Sequence, residues 1–198
     1  FLDLHPEQAC YVKVTNSNEK KFIRLGLNQD KGSDQTDCFI LEKDGSITTP
    51  IDWNYEQITE AIACPIEDKT LSIRGGIFTT IANQAESVYN YYSRGIDIIR
   101  SNTVVDGITH YVIGEGKHGS PYRGFINALD CANVTIQNSF FTGHKIYWTI
   151  GSAGLPVMMG SYDLHANSVV NFTLRNCRMN HINDRTSVKS GRTSGCIE

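Results

Sequence analysis

Four short segments alternate apolar and polar residues on the two-residue period of a strand with one buried face, and each then reaches a Gly or an Asn. They are Leu71-Ser-Ile-Arg-Gly75-Gly-Ile-Phe78, Val104-Val-Asp-Gly107-Ile-Thr109, Val134-Thr-Ile-Gln-Asn138-Ser-Phe-Phe141 and Phe172-Thr-Leu-Arg-Asn176-Cys-Arg-Met179. Aligned on Gly75, Gly107, Asn138 and Asn176, the repeats are spaced by 32, 31 and 38 residues. Such a period marks stacked units that share one core, a solenoid. A residue that bends one strand sharply into the next sits in the left-handed αL region, which Gly enters freely and Asn tolerates. The competing arrangement is an antiparallel sandwich, but apart from Asp106-Gly107 no Asn-Gly or Asp-Gly hairpin joins matched strands here.

The first 68 residues follow another pattern. Cys10-Tyr-Val-Lys-Val14, Phe22-Ile-Arg-Leu25 and Cys38-Phe-Ile-Leu41 read as strands, with polar turns at Asn16–Asn18, Asp30–Ser33 and Lys43–Gly45. Lys43-Asp-Gly-Ser46 is a hairpin signal. A short helix capped by Asp52 is expected over Asp52–Ile62. This region is expected to form antiparallel β structure that packs against or caps the first repeat, because solenoid ends need covering. The expected organisation is therefore a β-rich capping region over 1–68, stacked repeats over 69–185, and an irregular Ser/Gly/Thr-rich tail over 186–198.

The segments Asn133-Val-Thr-Ile-Gln-Asn138-Ser-Phe-Phe and Asn171-Phe-Thr-Leu-Arg-Asn176-Cys-Arg-Met resemble coils of the right-handed parallel β-helix proteins of the pectin-lyase-like superfamily. The resemblance covers roughly residues 69 to 180. It implies an all-β fold, a right-handed parallel β-helix, and activity on carbohydrate outside the cytoplasm, at the cell surface or in a periplasm. It also admits calcium as a cofactor, for which Asp106, Asp130 and Asp163 are dispersed carboxylates, although no Asp-rich EF-hand loop occurs.

Composition narrows the alternatives. With 18 Lys and Arg against 21 Asp and Glu, the net charge of −3 and the lack of a basic block argue against nucleic acid as a partner. No apolar run reaches the length of a membrane span. Six dispersed cysteines form no CxxC pair and allow fifteen pairings; they read mainly as buried free thiols. The start at Phe1 and the altered composition of the tail are expected of a fragment of a longer chain.

In such a fold the inward columns only pack, so chemistry is expected on outer faces and in the long loops. Counting forward from the aligned bend residue brings Glu115, His144, Lys145, Tyr147, Asp184 and Arg185 toward one edge. Two reactions suit this set. In β-elimination on a uronic-acid polymer, Lys145 or His144 removes the C5 proton and Arg185 or Arg123 holds the carboxylate. In glycoside hydrolysis, Glu115 with Asp184, or Asp163 with Asp184, supplies the carboxyl pair. The Gly-rich stretch 111–124, with His118, Tyr122 and Arg123, and the stretch 147–165, with Tyr147, Trp148, Tyr162, Asp163 and His165, are expected to bind sugars through aromatic faces and polar hydrogen bonds. The leading expectation is a protein that binds and cleaves polysaccharide as a lyase or hydrolase. Its rival is a non-catalytic adhesin or tailspike-like solenoid, monomeric or trimeric. The sequons Asn133-Val-Thr135 and Asn171-Phe-Thr173 follow from the repeat's use of Asn and Thr, and no modification is assigned to them.

Overall fold

A computed structural model describes residues 5–23, 31–81, 95–114, 125–142 and 163–179, and no helix occurs among them. The alternation that begins at Cys10 continues past the polar run Asn16–Asn18, which lies within a single strand, β1 (Cys10–Phe22), rather than forming a turn. The register slips between Asn16 and Lys20, so the polar run is absorbed as an irregularity in the pairing. β1 is the centre of an antiparallel sheet, flanked by β2 (Ser33–Leu41) and β3 (Glu60–Pro65). The turn at Lys43–Gly45 forms as expected: Gly45 takes φ 82° and donates its N–H to the Glu42 carbonyl at 3.0 Å.

The helix expected over Asp52–Ile62 does not form. Residues 51–59 have no regular structure and Glu60–Pro65 is a strand. The cause is the buried Asp37 carboxylate, which accepts the N–H groups of Asp52 and Trp53, both at 3.1 Å, and the Tyr55 hydroxyl at 3.3 Å. That acceptor holds the segment against β2 and competes with a helical turn. Burial, then the neighbouring Asp37 charge, raises the Tyr55 phenol above its ordinary range.

The repeats form two parallel sheets. Each repeat gives one strand to each sheet: β4 (Leu71–Arg74) and β5 (Ile77–Ile81), β7 (Thr103–Asp106) and β8 (Thr109–Ile113), β9 (Ile126–Gln137) and β10 (Phe140–Phe141), β11 (Leu164–Arg175) and β12 (Arg178–Met179). The short β6 (Ile96–Ile98) precedes β7 and pairs with the start of β9. Strand order is β11-β9-β7-β4 in one sheet and β12-β10-β8-β5 in the other, so repeats adjacent in sequence are neighbours in space. The four bend residues share one column and all lie in the left-handed region: Gly75 at φ 66°, Gly107 at 70°, Asn138 at 52° and Asn176 at 50°. An earlier column, Asn102, Asn133 and Asn171, does the same at 53°, 58° and 56°.

Register then builds the core. Ile73, Val105, Ile136 and Leu174 stand in one inward column, with Phe78, His110, Phe141 and Met179 opposite. Except for His110 these side chains belong to, or pack against, one apolar cluster. Each fully buried large one, such as Ile136 or Phe141, contributes about 1.5–3 kcal/mol on leaving water. Close backbone approach explains Gly95, where an added Cβ would lie 2.0 Å from the Phe125 carbonyl oxygen.

The antiparallel sheet packs on the long strands of the third and fourth repeats. Tyr11, Cys38, Ile40 and Ile66 form a cluster with Ala132 of β9 and Val170 of β11. The Tyr11 hydroxyl donates to the Ser168 carbonyl at 2.8 Å, and Lys13 reaches the Asp130 carboxylate at 2.8 Å. Asp130 and Ser168 are themselves positive-φ bends, at 47° and 54°. The sheet thus braces a corner of the stack.

Candidate functional site

On the strands of the five-stranded sheet, side chains between the inward columns face out. The residue just before each bend therefore forms an outward row, Arg74, Asp106, Gln137 and Arg175. A second outward row two residues earlier holds Ser72, Val104, Thr135 and Thr173. With strands about 4.8 Å apart, each row spans roughly 14 Å along the stack.

Hydrogen bonds across the strands join Asp106, Gln137 and Arg175 of the first row. Asp106 accepts Gln137 Nε2 at 3.0 Å on one oxygen and Asn138 Nδ2 at 2.8 Å on the other. Arg175 donates to Gln137 Oε1, and Asn176 donates to Asn138 Oδ1 at 2.7 Å. The amides of Asn138 and Gln137 hold the Asp106 carboxyl below its ordinary range, with Arg74 and Arg175 contributing in the same direction. Asp106 is thus an ionised acceptor and is unsuited to donate a proton as a general acid. Arg74 and Arg175 are exposed at the two ends of the row.

A second polar row lies on the earlier part of the long strands, where Asp97, Asn127 and His165 are in register. Asn127 alternates with the core residues Ile126 and Ala128, and donates to Asp97 Oδ1 at 2.8 Å. This is where the structure puts His165, the sugar-binding candidate.

Asp163, the other candidate among the described residues, turns toward the core. Its Oδ1 lies 3.0 Å from His110 Nδ1, and His110 Nε2 lies 2.8 Å from the Thr80 hydroxyl. The imidazole is fully buried and stacks on Phe125, with ring centroids 3.9 Å apart and planes 9° apart. The ring thus bridges a carboxyl group at Nδ1 and a hydroxyl, which can donate or accept, at Nε2. The order hydroxyl, imidazole, carboxylate is that of a nucleophilic relay. Here Thr80 is 7% exposed and His110 0%, so the relay ties three repeats together from inside rather than facing a substrate.

The remaining candidates, Glu115, His118, Tyr122, Arg123, His144, Lys145, Tyr147, Trp148, Tyr162, Asp184 and Arg185, lie outside the described residues. The first nine belong to segments that follow β8 and β10 in the chain. Among the described residues no group of three His, Cys, Asp or Glu is placed to hold a metal ion. The calcium candidate Asp106 has hydrogen bonds on both oxygens, and Asp130 is paired with Lys13. The described cysteines are free thiols, and burial pushes Cys131 up to about 12, which leaves it protonated and a poor nucleophile.

Sequence reasoning passed over Arg74, Gln137 and Arg175, although a signal was present: the position before the bend is polar in all four repeats. It also passed over His110, whose signal was a single polar residue at an inward position. No protein-family model, no curated protein and no solved structure matches this chain.

Proposed function

We propose that this chain is a right-handed parallel β-helix that binds polysaccharide on the outer face of its five-stranded sheet, outside the cytoplasm. The right hand is the expected sense for crossovers between parallel strands of one sheet. The observation that carries the binding reading is the exposed double row. Arg74, Asp106, Gln137 and Arg175 run beside Ser72, Val104, Thr135 and Thr173, and hydrogen bonds between successive strands join Asp106, Gln137 and Arg175. A rigid strip of amides, hydroxyls and alternating charges matches a chain of sugar hydroxyls and acidic groups, and the terminal arginines favour an anionic polymer.

Cleavage of the bound polymer is the second half of the proposal and rests on Lys145, His144, Glu115, Asp184 and Arg185. The ionised state of Asp106 and the burial of His110 favour binding as the role of the described residues themselves. The test is to incubate the purified chain with acidic and neutral polysaccharides, following retention, reducing ends and the ultraviolet absorbance of a new conjugated double bond. Retention with both signals supports a lyase, and retention with reducing ends alone supports a hydrolase. Retention without product supports the adhesin-like reading, and no retention by a folded protein overturns the proposal.

A further inference from the structure

The outer face of the other parallel sheet is apolar where a solvent-facing sheet is ordinarily polar. Alternation on β5 and β8 sends His110, Val112 and Thr80 inward and leaves Ile77, Ile81, Tyr111 and Ile113 outward, at 77%, 66%, 37% and 49% exposure. Ile77 stands beside Thr109, Thr79 beside Tyr111 and Ile81 beside Ile113. Phe140 extends the patch onto β10, its ring centroid 6.2 Å from that of Tyr111 in an edge arrangement. No outward residue of β5, β8 or β10 is charged; the first cation is Arg178 on β12, 5.7 Å over the Phe140 ring.

At about 200 Å² per large side chain, these exposures leave on the order of 450 Å² of apolar surface, the scale of the largest and often functional patch on a typical monomer. We infer that two copies of the chain pair back to back through this face. Area is the first argument for a second copy. The two faces together bring roughly 1,000 Å² into contact once the flanking Thr79, Thr109 and Phe140 are included, the lower bound for a specific, weak interface. The second argument is charge. A two-fold axis sets a patch against itself, which like charges would oppose and this uncharged patch permits, with Arg178 left at the wet rim. Facing sheets interdigitate side chains at about 10 Å separation, a spacing that branched Ile suits.

The test is sedimentation velocity of the whole 198-residue chain from about 1 to about 100 µM, the range that brackets weak interfaces. A concentration-dependent dimer is expected, lost in Ile77→Lys and weakened at least about tenfold in the milder Ile113→Thr. Ile62→Lys, on β3 of the antiparallel sheet, should dimerise as the parent does. Circular dichroism confirms that each variant is folded. A parent chain that stays monomeric throughout, patch variants that dimerise like the parent, or equal loss in Ile62→Lys would each overturn the inference. Polysaccharide binding is read separately and does not bear on it.

Discussion

Asn133 serves two neighbours with one amide. Its Nδ2 donates to Asn102 Oδ1 and its Oδ1 accepts Asn171 Nδ2, both at 2.9 Å, while its backbone bends at φ 58°. Ala at this position loses both hydrogen bonds and tolerates the bend poorly, whereas Gly loses only the hydrogen bonds. Asn133→Ala is therefore expected to cost about 2–3 kcal/mol in urea unfolding and Asn133→Gly about 1 kcal/mol less. Equal costs would mean that the bend carries no strain. At this level the sequence was readable, because αL preference is a property of one residue and its backbone. All four aligned bends fell where Gly75, Gly107, Asn138 and Asn176 indicated.

Strands inherit their neighbours from these bends, and the chemistry of each row depends on those neighbours. His110 shows the limit of reading one strand alone: Thr-His-Tyr-Val-Ile gives its inward position, but its partners Thr80 and Asp163 lie 30 and 53 residues away. Removing the imidazole leaves Asp163 facing the core unpaired. His110→Ala is expected to cost about 2–4 kcal/mol, with a coupling of at least about 1 kcal/mol to Asp163→Ala in a double-mutant cycle. Additive losses would show that the two side chains do not act as a pair. Asp106 tests the outer row through pH. Its folded-state pKa lies below the unfolded value of about 3.9, so its contribution is present above that value and fades as pH falls through the lower, folded one. The stability difference between the parent and Asp106→Asn should shrink as pH drops from about 5 to about 2. A difference that does not change with pH would contradict the hydrogen-bonded geometry at Asp106. The expected helix over Asp52–Ile62 failed for the same reason that His110 was passed over. Asp37, a buried acceptor on another strand, outweighed a weak local pattern.

Across the whole molecule, the antiparallel sheet braces the corner at Asp130 and Ser168, while on the outer face of the five-stranded sheet the terminal Arg74 and Arg175 stay exposed. The strand segments of both the antiparallel and the parallel sheets were visible in the sequence because they rest on local alternation. The docking of the antiparallel sheet on β9 and β11 was not, since it depends on Tyr11 meeting Ser168 across 157 residues. The outer row was half visible: the repeat placed Arg74 and Arg175 one position before the bends, but only the register set them at the two ends of that row. The most direct measurement is a binding titration of acidic polysaccharides against the parent chain and the Arg74→Ala/Arg175→Ala double variant at low and high salt. Binding is expected to weaken with salt and to fall at least about tenfold in a double variant of unchanged fold. Equal affinity of parent and double variant, or no binding by the parent, would contradict the proposal.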